Sequence, residues 1–170
     1  RVRKWTLKEK PKAVLQIVHG IVEHIERYDD FANYVRDKGI VVVGDDHLGH
    51  GKSVANEEGY GFFAEENGWN FMVKDLHTLY KMTSSEYPDV PYFILGHSMG
   101  SFLTRTYLID YPQGLSGAIL SGTGQQSPII INAGLALIKA ESRKDGMRKR
   151  SDKVDAICFG AYNRKFKPNR

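Results

Sequence analysis

Three apolar runs constrain this chain most: "AVLQIV" (13–18), "GIVVVG" (39–44) and "PYFILG" (91–96). Each is four to six apolar residues long, rich in β-branched or aromatic side chains, and bounded by Gly or Pro. A strand with one wet face alternates apolar and polar residues, whereas a strand covered on both faces does not. These runs therefore predict parallel strands buried between two layers. "GAILSG" (117–122) is a shorter fourth run of the same kind.

Helical periodicity fills the intervals. Tyr28, Phe31, Ala32 and Val35 recur at i, i+3, i+4, i+7. Trp69, Met72, Val73, Leu76, Leu79 and Tyr80 do the same behind Asn67, a residue suited to an N-cap. Phe102, Leu103, Thr106 and Tyr107 form a third stripe that ends before Pro112. Strands alternating with helices of this length give an α/β fold with a mostly parallel sheet and helices on both faces. After residue 124 the alternation stops, and a helix-like segment with an apolar start and a basic middle follows. Two domains are expected: a core over 1–124 and an appended segment over 125–170.

Charge narrows the partners. Residues 139–170 carry 11 Lys/Arg against 4 Asp/Glu, a net of +7, while the rest of the chain is −3. No aromatic-interleaved basic motif or zinc-finger spacing accompanies the basic stretch, so no nucleic-acid partner is expected. The longest apolar runs fall well short of a membrane span. "RVRKWTLKEKPK" has no apolar core behind it and does not read as a signal peptide. A single cysteine, Cys158, fits a reducing, cytoplasmic setting.

Three motifs carry chemistry. Gly96-His97-Ser98-Met99-Gly100 follows the strand "YFIL" and opens a helix. A G-x-S-x-G strand-to-helix turn needs small neighbours because its backbone is crowded. It lifts the serine hydroxyl above the sheet at a helix N-terminus, where developing negative charge is favoured. Ser98 is the candidate nucleophile, with Gly96, His97 and Gly100 forming the elbow. "VHGIVEH" (18–24) ends the first strand with a turn able to aim the Ile21 N–H at the same place. Ile21 and Met99 would then supply the two backbone donors of an oxyanion hole. His19 reads as architectural rather than as a base. "GDDHLGHGKS" (44–53) nearly matches a phosphate-binding loop, but Asp46 stands where its first glycine belongs and would repel phosphate. His47 and His50 have no third ligand at a metal-site spacing, so no metal is expected.

"HGIVEH", "DDHLGHGKS" and "GHSMGS", in this order, closely resemble the α/β-hydrolase-fold serine hydrolases of the monoacylglycerol lipase and lysophospholipase branch. The likeness runs from about residue 4 to 124. The segment 125–170 looks like the start of that family's cap. Ile21, Val22 and Ser101 stand where smaller residues are common in the family. The resemblance implies a carboxylic-ester hydrolase that forms an acyl-enzyme on Ser98 and needs no cofactor. It also implies a small acyl-ester or lysolipid substrate, and it makes Asp46, Gly49, His50 and Gly51 structural loop residues.

That family orders its triad Ser, then acid, then His, and no histidine follows Ser98 here. The expectation is an N-terminal fragment, truncated before the sheet's last strands and inactive or nearly so alone. The alternative is a non-catalytic binding or structural protein on a hydrolase scaffold. Two contacts are also expected: self-association through a bare sheet edge near 117–122, and transient contact of the cap with a membrane surface.

Overall fold

A computed structural model describes residues 1–165. Its internal contacts divide it into a unit spanning Arg1–Thr123 and a second beginning at Gly124. The last five residues of the expected cap segment lie outside the described residues.

The first unit runs β1 (Val2–Trp5), β2 (Ala13–Val18), α1 (Asp29–Arg36), β3 (Ile40–Asp45), α2 (Gly68–Glu86), β4 (Tyr92–His97), α3 (Met99–Asp110) and β5 (Gly117–Ser121). The sheet order is β1-β3-β2-β4-β5. Strands β2 to β5 pair in parallel, and β1 is antiparallel to β3 with Val2 opposite Asp45. All four apolar runs became strands. β1 did not appear in the sequence reading because "VRKW" is short and half charged, which is what an edge strand tolerates.

Successive side chains of a strand face opposite layers, and both layers are filled. Leu15, Ile17 and Val42 pack with Trp5, Ile25 and Ala32 on the α1 side. Val18 and Ile94 pack with Met72, Val73, Leu76, Leu103 and Tyr107 from α2 and α3. Val14, Val41, Val43 and Tyr92 meet Leu79 of α2. Gln16, a buried polar residue within this apolar layer, donates to the Leu76 carbonyl at 3.1 Å and accepts from the Tyr92 hydroxyl at 2.7 Å. Its polar atoms are therefore satisfied rather than merely buried.

Two helical details differ from the expectation. Asn67 precedes α2 but takes a left-handed conformation (φ 57°) and makes no capping hydrogen bond. In α3 the buried residues are Gly100, Ser101, Leu103, Thr104 and Tyr107, while Phe102 is 39% exposed. The helix is rotated so that its small residues, not Phe102, lie against the sheet. This lets the α3 backbone approach β2 closely: a Cβ on Gly100 would collide with the carbonyl oxygens of Val18 and His19. At the far edge, β5 leaves Ile119 and Leu120 exposed.

The second unit contains α4 (Pro128–Asp145) and α5 (Asp152–Lys165). Ser127 caps α4, its Oγ accepting from the Ile130 N–H, and Pro128 occupies the first turn, where its missing N–H costs nothing. Gly146, at φ 87°, ends the helix. Glu141 accepts from Ser151 and Lys153, joining the two helices. Ile129, Ile130, Ile131, Leu135 and Ile138 of α4 are all exposed.

Candidate active site

Ser98 sits between β4 and α3 with φ 53° and ψ −120°. A non-glycine residue pays steric strain in this region, and such strain gathers at functional sites. The surroundings hold it there. The Ser98 N–H donates to the carbonyl of Ser121, the last residue of β5, at 2.9 Å. The Ser98 carbonyl accepts from the Ser101 N–H at 2.9 Å and from Ser101 Oγ at 2.6 Å. Both flanking glycines are required by packing: a Cβ at Gly96 would strike Gly100 O and Thr104 Oγ1. Met99 is the first residue of α3, so its N–H belongs to the helix's first turn and has no acceptor within the helix.

The 18–24 turn lies directly against the serine. A Cβ on Gly20 would stand 3.1 Å from Ser98 Cβ and 3.3 Å from the His97 carbonyl. Glycine thus lets the two turns meet without displacing either. The Gly20 N–H donates to Glu23 Oε1, which also accepts from the Tyr28 hydroxyl at 3.1 Å. Burial and the adjacent Glu23 raise the Tyr28 phenol well above its usual range, so it remains a donor. Arg27 pairs with the second Glu23 oxygen at 3.4 Å. Ile21 and Val22 project outward, 41% and 70% exposed. Val22 has φ 54°, a left-handed conformation poorly suited to a β-branched side chain.

The 45–53 loop braces this turn. Asp46 is 3% exposed. Its Oδ1 accepts from the Ile25 N–H at 2.9 Å and its Oδ2 from the Lys52 N–H at 2.8 Å. The Asp46 carboxylate thus occupies the Lys52 amide that a bound phosphate would require, a second reason this loop is not a nucleotide site. Gly51 has φ 48°, and a Cβ there would run into the same carboxylate. Gly49 has φ 72°, with the Phe62 backbone where its Cβ would be. His50 is buried against Phe63, with Nδ1 2.9 Å from the Leu48 carbonyl.

Five of the six histidines are engaged with groups other than the Ser98 hydroxyl. His19 is fully buried, and burial with neighbouring His47 lowers its pKa to about 3. The His47 ring lies against His19 at a 32° tilt with centroids 4.0 Å apart, and burial lowers the His50 pKa. His77 stacks on Tyr111 between α2 and α3. His97 Nδ1 lies 3.3 Å from Ser121 Oγ. Among the described residues, no hydrogen bond joins a histidine ring to Ser98 Oγ, and no group of three His, Cys, Asp or Glu is placed to hold a metal.

The structure thus brings together Ser98, Gly96, Gly100, Met99 and the Gly20–Ile21 turn. It also brings in Glu23, Tyr28 and Ser101, which the sequence reading did not place in the site. The signal for Glu23 was a carboxylate three residues after Gly20, the spacing at which a side chain reaches back to a turn N–H.

Comparison with known proteins bears on the family and the fold. The Hydrolase_4 family, described as serine aminopeptidase, S33, matches residues 9–144. The chain is 34% identical over 129 residues to the monoglyceride lipase of Rattus norvegicus, covering 76% of this chain and 39% of the rat protein. It is 33% identical over 118 residues to the monoacylglycerol lipase of Mycolicibacterium smegmatis, covering 69% of this chain and 40% of that one. A carboxyl esterase from Bacillus coagulans superposes with TM-score 0.78 at 34% identity, over 91% of this chain and 49% of the esterase. The chain therefore spans less than half the length of these relatives. On these matches it belongs to the Hydrolase_4 family of α/β-hydrolase-fold proteins, on the carboxylic-ester hydrolase branch that includes the monoglyceride lipases.

Proposed function

We propose that this chain is the nucleophile-bearing half of a serine ester hydrolase acting on a monoacylglycerol or a similar small acyl ester. The observation that carries the proposal is the strained Ser98 at a strand–helix junction, with the Gly20–Ile21 turn packed against it. Ser98 Oγ attacks the ester carbonyl, and its proton passes to a histidine. The carbonyl oxygen becomes an oxyanion held by the N–H groups of Ile21 and Met99, aided by the N-terminus of α3. The intermediate collapses with expulsion of the alcohol, which takes up that proton, leaving an acyl-enzyme on Ser98. Water, deprotonated by the same histidine, then releases the acid and restores the serine.

The histidine and its carboxylate partner belong to residues outside the 170 described by this sequence. Residues 1–170 alone are then inactive or nearly so, retaining only what an oxyanion hole and binding supply. The ester class is supported by relatives named monoglyceride lipase and carboxyl esterase. In this reading 1–124 is the hydrolase core that carries the site, and 125–170 is the beginning of a cap segment. The exposed α4 isoleucines favour transient contact with a lipid surface, and the open β5 edge favours self-association in the isolated chain. No helix among the described residues is long and apolar enough to cross a membrane. The lone, free Cys158 suits a reducing, cytoplasmic location.

The test is hydrolysis by the full-length protein. A monoacylglycerol should be cleaved, an aminoacyl amide should not, and Ser98→Ala should abolish turnover. Cleavage of the amide alone would assign a peptidase instead. Ester turnover surviving Ser98→Ala would remove Ser98 from the mechanism.

A further inference from the structure

Gly20 is held on both sides. Its N–H is bound by Glu23, and its carbonyl lies 2.7 Å from His19 Nδ1. The Gly20 carbonyl and the Ile21 N–H belong to one peptide unit, and no cis peptide occurs among the described residues. In a trans peptide these two groups point in opposite directions. Whatever holds the carbonyl toward the buried His19 ring turns the Ile21 N–H the other way, out of the core.

The proton that does this is itself fixed by a second loop. The His47 backbone N–H donates to His19 Nε2 at 3.1 Å, so Nε2 is an acceptor and the ring proton must sit on Nδ1. His47 Nε2 returns the contact by donating to the His19 carbonyl at 3.2 Å. Residues 28 apart in sequence thus form a closed reciprocal pair in a fully buried position. An imidazolium would lose the Nε2 bond, and burial independently keeps His19 neutral.

We infer that His19 is a positioning residue for the oxyanion hole: its Nδ1–H, locked in place by the His47 main chain, holds the Gly20 carbonyl and thereby aims the Ile21 N–H. The inference rests on the reading of Ile21 as an oxyanion donor. It goes further in assigning that donor's orientation to a buried imidazole two residues before it and to the 45–53 loop. His19 touches neither substrate nor Ser98 Oγ. It acts on the transition state, through a peptide plane, and not on ground-state binding.

Two substitutions separate this role from packing. His19→Asn can place an amide N–H where Nδ1–H lies. His19→Gln can place its polar end at Nε2 but leaves Gly20 without a donor. In the full-length protein with a p-nitrophenyl ester, His19→Gln should lower kcat on the order of 10²-fold, the effect of losing one oxyanion donor, with KM nearly unchanged. His19→Asn should recover most of that loss. Long-range 1H–15N spectra of the wild-type protein should show His19 protonated at Nδ1 and bare at Nε2. Equal kcat for wild type and His19→Gln would overturn the inference, as would equal loss in both variants while tryptophan fluorescence shows both folded. The opposite tautomer would overturn it whether or not either variant folds. A wild type inactive on every ester would instead sink the hydrolase reading, and this inference with it.

Discussion

Asp46 offers a quantitative test on the chain itself. Its carboxylate is buried and accepts two backbone N–H groups, from Ile25 and Lys52. One bond ties down the exit of the 18–24 turn and the other closes the 45–53 loop, so one side chain joins the two segments that brace Ser98. A hydrogen bond to a charged group contributes about 1.5–3 kcal/mol, so two of them together contribute roughly 3–6 kcal/mol. Asp46→Ala removes both acceptors, leaves two N–H groups unsatisfied, and should destabilise by about 4 kcal/mol. Asp46→Asn keeps the shape and one acceptor but sets an NH2 against the other N–H, and should cost about 2 kcal/mol. Equilibrium urea unfolding followed by tryptophan fluorescence gives both values. The two tryptophans, Trp5 and Trp69, lie in the first unit, so the second unit does not confuse the signal. A loss below about 0.5 kcal/mol for Asp46→Asn, the range of an ordinary surface substitution, would show that Asp46 does not clamp the loops as described.

Three further outcomes follow from the same geometry. Gly100→Ala forces a methyl into the Val18 and His19 carbonyls. It should cost about 2–3 kcal/mol by the same unfolding assay, and an unchanged midpoint would contradict the close approach of α3 to β2. Val22→Gly relieves a left-handed conformation worth about 1–2 kcal/mol against an entropic cost of roughly 0.5–1 kcal/mol. A small net gain in stability is expected, and a clear loss would show that the Val22 side chain makes a contact worth more than its strain. His19 is neutral in the fold to about pH 3, while in the unfolded chain it takes a proton near pH 6.5. The unfolded state therefore binds the extra proton between these values, and stability falls as pH drops through that window. Replacing His19 by Asn should flatten the stability-versus-pH slope there by close to one proton. An identical slope in both proteins would mean that His19 is not held neutral.

The sheet was legible because strands covered on both faces need apolar residues at successive positions, and β2, β3 and β4 have them apart from the hydrogen-bonded Gln16. β1 was hidden because Arg3 and Lys4 make an edge strand look like a basic tail. Asn67 misled because residue type suggests a cap, whereas the left-handed backbone at that position turns its side chain away from the role. In the site, Ser98 and its glycines could be read locally: the turn's crowding dictates the residues within two positions. The braces could not. The His47–His19 bond spans 28 residues and the Asp46–Ile25 bond spans 21, and no local pattern reports a pairing across that distance. That no histidine follows Ser98 was readable at once, and the structure engages His19, His47, His50, His77 and His97 elsewhere.

The central claim is that Ser98 is a nucleophile whose base lies outside these 170 residues. Fluorophosphonate labelling, read by mass spectrometry on the full-length protein and on residues 1–170 side by side, tests it directly. The full-length protein should be modified rapidly and stoichiometrically on Ser98, and residues 1–170 at most slowly. Rapid labelling of residues 1–170, or labelling of the full-length protein at another serine, would contradict the account.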